Sequence, residues 1–435
     1  MRFEAMVLLL LTAGCAKSTL VGITEAEAKD KLAACAHGPG ALAKDTLPSN
    51  AKYGAKMPID HFVLVMQENR SFDHYFSKLT HGGVHVASAN AQNPASDGGV
   101  AQRYHETRYC LTDVNHGWNG SHRQFNEGKN DGFVVTNEPN GERALGYYDE
   151  TDLPFYYGLA RTFAISDMHF SSVMGPTQPN RIYYWAGTSF GAIKNGIPPL
   201  MVNNKPTQSL FTRLNAADVL WKSYVSDVAS PAVFVGLLSS NDENFKPLDQ
   251  FFVDAAAGEL PPVSVVEAYF TGGVRADQDD EHPAGNIQRG QAFTRRVVEA
   301  VMRSPQWPRT AMVLLYDEHG GFYDSQRPPS ACEPDEILPI GDDARRFDHL
   351  GFRTPLMVIS PFARRHYVSH VPVDHTSVTR LVEARFELPA LTKRDANAWP
   401  LLDLFDFEHP DFSVPELPEA VIDPERDAQC KRDFP

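Results

Sequence analysis

The chain has 435 residues, 42% of them hydrophobic, and a formal net charge of −15 at pH 7. That length and apolar content suffice for one large α/β domain or two ordinary ones around a buried core. The charge argues against a nucleic-acid binder, since phosphate-backbone recognition needs clustered Lys and Arg, and it confines any phosphate ligand to a local cationic site.

Residues 1–14 read as a signal peptide: a short charged start is followed by the apolar Val7-Leu8-Leu9-Leu10-Leu11, too short to span a membrane as a stable helix. Export to the periplasm or the medium is the expected outcome. Thr12-Ala13-Gly14-Cys15 resembles a bacterial lipoprotein cleavage box, although Thr12 stands where such boxes usually carry Leu. Acylation of Cys15 would then be the only attachment to a membrane. Setting Cys15 aside leaves Cys35, Cys110, Cys332 and Cys430, an even number that suits two disulfides in an oxidising compartment. The sequence does not specify their connectivity, and unpaired buried thiols are the alternative.

Residues 15–56 read as a leader and tether with one short helix over 24–35. The chain is organised around Ile59-Asp60-His61-Phe62-Val63-Leu64-Val65-Met66, an apolar run that breaks into Gln67-Glu68-Asn69-Arg70-Ser71-Phe72-Asp73. Such a run predicts a strand buried on both faces, and parallel α/β sheets gather their ligands beyond the carboxyl ends of such strands. Ser71 is positioned to cap a helix carrying Phe72, Tyr75, Phe76 and Leu79 inward. Residues 80–111 lose all periodicity and predict a long surface excursion, which ends in a polar loop bearing His116 and His122.

Gly175-Pro176-Thr177 precedes a helical stretch, placing a hydroxyl where free amides and the helix dipole favour negative charge. Thr177 is therefore a nucleophile candidate, with ordinary helix capping as the alternative. Strands are expected over 221–224 and 261–267, and a helix over 210–220; residues 234–238 fit either element. A Gly- and Asp-rich loop through Asp277, Asp279 and Asp280 leads to Glu281-His282-Pro283 and an amphipathic helix that stops at Ser304-Pro305. Thr310-Ala311-Met312-Val313-Leu314-Leu315-Tyr316 repeats the first design and is followed by Asp317-Glu318-His319-Gly320-Gly321. Two acidic strand ends at one sheet edge repel each other unless a cation sits between them, and acidic surface loops are the alternative. A further strand spans 354–361, Asp374-His375 opens a last helix, read as the helix start with support of the site as the alternative, and residues 404–435 form an acidic, Pro-rich tail packed on the domain.

Taken in order, Gln67 to Phe76, Gly175-Pro176-Thr177 with Pro179-Asn180-Arg181, Glu281-His282-Pro283, Asp317 to Asp324 and Asp374-His375-Thr376-Ser377 resemble the bacterial phosphoesterase family that includes non-haemolytic phospholipases C and a group of acid phosphatases. The resemblance covers roughly residues 58–390; Ser325-Gln326 departs from the His-Val often found there, which bears on substrate contacts. It implies an α/β fold, a single alkaline-phosphatase-like domain over 57–403 with a mostly parallel central sheet and helices on both faces. It also implies one divalent metal ion surrounded by Glu68, Asn69, Thr177, Asp317 and Glu318, with His116 and His282 catalytic beside Thr177. Asn69, His116 and His282 would contact the substrate, a small phosphate monoester or a phospholipid head group.

The expected function is an exported, metal-dependent phosphoric ester hydrolase, of acid phosphatase or phospholipase C type, working through a phosphothreonyl intermediate. Trp118, Tyr156, Tyr157 and Trp185 are candidates for a cage around a choline-like group, with core packing as the alternative. A non-catalytic surface binding protein that keeps the fold is the rival reading.

Overall fold

The computed structural model describes residues 21–202, 205–234, 242–269, 275–341 and 345–435. The signal segment and Cys15 lie outside the described residues, as does most of the ambiguous 234–238 stretch. Eight strands build the central sheet: β1 (His61–Gln67), β2 (Ala164–Ser166), β3 (Trp221–Val225), β4 (Phe245–Pro247), β5 (Val263–Glu267), β6 (Thr310–Tyr316), β7 (Leu356–Ile359) and β8 (Tyr367–Ser369). Their spatial order is β4-β3-β5-β1-β6-β7-β2-β8. All pairings are parallel except those of β7, which runs against both β6 and β2.

Strand β1 sits mid-sheet, with Leu64 level with Val265 on one side and Val313 on the other. All seven residues of β6 are buried. Successive side chains of a strand point to opposite faces, so both faces of the sheet centre are covered, which is why these two strands need unbroken apolar runs. The helix Ile287–Arg303 packs on β6 and on the helices Pro154–Thr162 and Leu248–Ala257, burying Phe293, Val297, Val298 and Val301. The helix Thr177–Ala186 packs against His375–Phe386, where Asp374 is the cap and accepts from the Thr376 amide at 3.1 Å.

The 15–56 stretch is no free tether over its described part. The helix Glu25–Ala34 is capped by Thr24 and buries Ala28 and Leu32. Arg380 donates to the Ala41 carbonyl at 3.2 Å and to Thr46 Oγ1 at 2.8 Å, and Cys35 is bonded to Cys332. A second disulfide, Cys110–Cys430, ties down the helix Pro424–Asp433 at the end of the tail. Among the described residues no helix is long and apolar enough to cross a membrane.

Candidate functional site

Strands β5, β1 and β6 are adjacent and parallel, so their carboxyl ends open onto one edge. Glu267 ends β5, Glu68 and Asn69 follow β1, and Asp317 and Glu318 follow β6. Arg181 stands between the first two: Nη2 lies 2.8 Å from Glu68 Oε1 and Nη1 lies 3.2 Å from Glu267 Oε1, with all three side chains buried. Arg181 is one helical turn beyond Thr177, so the two lie on the same face of their helix. Thr177 is the first residue of its helix, and Pro176 occupies the cap position. The Thr177 side chain is thereby left out of the capping role. Asn180 fixes the approach, donating to the carbonyls of Val173, Gly175 and Pro176 at 3.0–3.2 Å and accepting from the Val173 amide at 3.0 Å.

Asn69 donates to Glu318 Oε1 at 3.0 Å, but its own Oδ1 is buried without a partner, as are Asp317 Oδ2 and Asp280 Oδ2. Burial pushes the Asp317 carboxyl well above the usual carboxylate range, and the charges of Glu68 and Glu318 add to the rise. Asp280 is raised in the same way, by burial and then by Glu68. Its backbone carbonyl accepts from the Glu68 amide at 2.8 Å, so it belongs to the same edge. Asn69 Oδ1, Asp280 Oδ2 and Asp317 Oδ2 are hard oxygen donors of the kind a divalent ion takes, and both acids feel the charge of Glu68. Glu318 is already engaged. It accepts from the Gly320 amide at 2.7 Å as well as from Asn69, and although burial opposes its charge, His116 and His319 hold its carboxyl below the usual value.

His116 and His282 face each other edge to face, with ring centroids 5.6 Å apart. His116 Nε2 lies 3.7 Å from Glu318 Oε1 and Nδ1 lies 2.6 Å from the Val114 carbonyl. His282 likewise turns Nδ1 to a carbonyl, that of Pro283, at 2.6 Å. A neutral ring that donates through Nδ1 leaves Nε2 free to take a proton. Burial disfavours charge on His116, yet Glu318 and Asp113 outweigh it and raise its pKa above the ordinary histidine value. His319 supports from behind: its Nε2 meets Gln124 Oε1 at 2.8 Å, and Gln124 Nε2 donates to the Asn115 carbonyl at 2.6 Å beside His116. At Gly320 (φ +64°) a Cβ would lie 2.1 Å from the Asn69 carbonyl, so only glycine allows this strand end to approach the other. His375, by contrast, is fully buried, sits 3.1 Å from the Tyr316 carbonyl and is brought down to about 4 by burial, a neutral supporting group.

The residues that sequence reasoning missed lie beneath these. Glu281 is buried and receives the hydroxyls of Tyr75 and Tyr316 at 2.7 Å each and that of Tyr156, which anchors the segment holding Asp280 and His282. Burial lifts its pKa to about 7, against the effect of those hydroxyls. Gly290 makes the fit possible, since a Cβ there would lie 2.0 Å from Glu281 Cγ. Of the four aromatics expected to form a cage, Tyr156 is spent on Glu281, Tyr157 donates to the Tyr75 carbonyl and Trp185 to Ser230, all buried. Trp118 alone of the four lines the open cleft of about 630 Å³ beside Thr177, together with Pro176, Ile193, Lys194 and Ile340. Ser325, where the sequence departs from the family pattern, donates to Asp73 at 2.6 Å within the buried Asp73–Arg353–Asp324 cluster.

A model described as the Phosphoesterase family matches residues 59–389. The chain belongs to the phosphoesterase family. Among its relatives, this phosphoesterase is similar to Phospholipase C B of Mycobacterium tuberculosis, 32% identical with 83% of each chain covered. It is also similar to the non-hemolytic phospholipase C of Pseudomonas aeruginosa, 30% identical over 86% of this chain and 61% of that one. A solved protein of the alkaline phosphatase superfamily from Vibrio parahaemolyticus aligns with a TM-score of 0.40 at 8% identity, covering 87% and 79%. Family membership makes this chain a hydrolase of phosphoric esters.

Proposed function

We propose that this phosphoesterase is an exported, metal-dependent phosphodiesterase of phospholipase C type, with residues 57–403 as its catalytic domain. The relatives named phospholipase C support a phospholipid diester over a small monoester, and the two disulfides fit an extracytoplasmic compartment. The observation that carries metal dependence is the orphaned oxygens of Asn69, Asp280 and Asp317 beside Glu68. Those four residues, with Thr177, would hold a divalent ion, which when bound would lower the pKa of the Thr177 hydroxyl and offset phosphoryl charge. Glu318, which the family resemblance also gives to the ion, holds Asn69 and raises His116.

Thr177 Oγ1, its hydroxyl proton already released to solvent, attacks phosphorus as the alkoxide, and the bond from phosphorus to the glycerol oxygen breaks. His116, whose pKa Glu318 and Asp113 raise against burial, gives its proton to that leaving oxygen, releasing diacylglycerol. His282 then takes a proton from the water that attacks the phosphothreonyl group, the head-group phosphate leaves with the Thr177 alkoxide restored, and the proton passes back to His116, whose ring centroid is 5.6 Å away. Arg181 keeps Thr177 in register through Glu68 and Glu267. The test is hydrolysis of phosphatidylcholine vesicles against a chromogenic phosphate monoester, with Mg²⁺ or Mn²⁺ supplied. Diacylglycerol release exceeding monoester turnover is expected. A monoester preference would make it a phosphatase, and turnover of neither would return it to a binding protein that keeps the fold.

A further inference from the structure

We propose that His85, Asp167 and His370 form a second metal site, taking a divalent transition ion such as Zn²⁺ through two imidazole nitrogens and one carboxylate oxygen. Asp167 follows β2 and His370 follows β8, and these strands pair in parallel with Ser166 level with Ser369, so both side chains leave the sheet at one edge. His85 comes from the surface excursion and is brought in by its amide, which donates to Asp167 Oδ2 at 2.6 Å. His370 Nδ1 lies 2.9 Å from both Asp167 oxygens, and His85 Nδ1 lies 3.6 Å from Oδ2. The imidazoles stand 4.6 Å apart between centroids, and one donor atom from each of the three residues falls within 4.8 Å of the others. Ligand atoms about 2.1 Å from a tetrahedral ion are about 3.4 Å from one another, which falls among these spacings.

The surroundings suit an ion that enters from solvent. Asp167 is fully buried, whereas the side chains of His85 and His370 are 40% and 37% exposed, leaving the fourth position to water. Arg353 donates to the carbonyls of His85 at 2.6 Å and of Asp167 at 2.9 Å, fixing the backbone of two ligands. Its charge is met by Asp73 and Asp324, each at 3.0 Å. Two nitrogens and one oxygen favour Zn²⁺, in contrast to the oxygen-rich edge at Glu68, which favours Mg²⁺ or Ca²⁺. The ion would clip the excursion around His85 to the sheet, far along the strand order from Glu68.

The test titrates ZnCl₂ into chelator-treated full-length protein held in saturating Mg²⁺, following calorimetry and melting temperature. Wild type is expected to bind one more Zn²⁺ per chain than His85→Gln or His370→Gln, and to gain more in melting temperature. Both variants should keep ester hydrolysis in Mg²⁺ within about twofold, since neither residue touches the reacting groups. Should His370→Gln fail to fold, the more exposed His85→Gln decides alone. Equal Zn²⁺ stoichiometry and equal stabilisation in wild type and the folded variant would overturn the site.

Discussion

Replacing Arg181 by Met tests whether the sheet edge is held together by charge. Arg181 is 2% exposed and faces Glu68 and Glu267, whose side chains are 5% and 2% exposed. Met fills most of the volume but supplies no charge, and removing one partner of a buried ion pair costs about 3–5 kcal/mol because the other charge is left uncompensated. The defect must depend on pH. Burial already raises the Glu267 carboxyl above its ordinary value of 4.5, and loss of Arg181 raises it further. Above the unfolded carboxyl pKa the folded variant then binds more protons than the unfolded chain, so its stability falls as pH rises through that window. Urea unfolding of metal-free wild type and Arg181→Met at pH 5 and pH 8 measures this, with the larger loss expected at pH 8. Adding Mg²⁺ should recover more stability in the variant than in wild type, because the ion meets an edge with one fewer cation. Adding Glu267→Gln should recover part of the loss without metal. A loss below about 1 kcal/mol at pH 8, the size of an exposed pair, or an equal loss at both pH values, would refute the reasoning.

Asp280→Asn removes a carboxylate with an orphaned buried oxygen, so divalent-ion affinity should fall at least about tenfold, measured by calorimetry. Because Asp280 and Asp317 both sit above the ordinary carboxylate range, ion binding should release protons, and fewer in this variant; unchanged affinity and proton release would exclude Asp280 from the site. In a pH profile, kcat should decline as pH rises through the raised His116 pKa, where the proton for the leaving oxygen is lost, and His116→Asn should remove that limb while lowering kcat about 10²–10⁴-fold. Cys430→Ser opens a bridge between residues 320 apart in sequence and should cost about 2–5 kcal/mol in urea unfolding, with the protein still folded and active.

Much of the architecture was legible because its central strands are extreme cases. β1 and β6 are covered on both faces, so their apolar runs stand out, and the helix Ile287–Arg303 carries a regular stripe. The reversal of β7 was not legible, since an apolar run of four residues carries no direction. The described part of the expected tether is packed because Arg380, Cys332 and two buried side chains hold it, all but the latter supplied from far along the chain. At the site, the family motifs led to Thr177, Glu68, Asn69, Asp317, Glu318, His116 and His282, and the fold brings Glu68, Asn69, Asp317 and Glu318 to one edge. Asp280 was hidden in an Asp-rich loop where only burial distinguishes it from Asp277, which is exposed. Arg181 stood in a motif, but its partners come from two other strands. Tyr156 looked like a cage residue because nothing local reveals that Glu281 lies opposite its hydroxyl.

The most direct test of the account is to quench the metal-loaded protein with acid during phosphatidylcholine turnover and sequence its peptides by mass spectrometry. Phosphorylcholine linked to Thr177 in wild type is predicted. Thr177→Val should carry no such group, and its rate should fall by at least about 10³-fold with the fold intact by circular dichroism. A covalent phosphoryl group on another residue, or turnover by Thr177→Val near the wild-type rate, would contradict it.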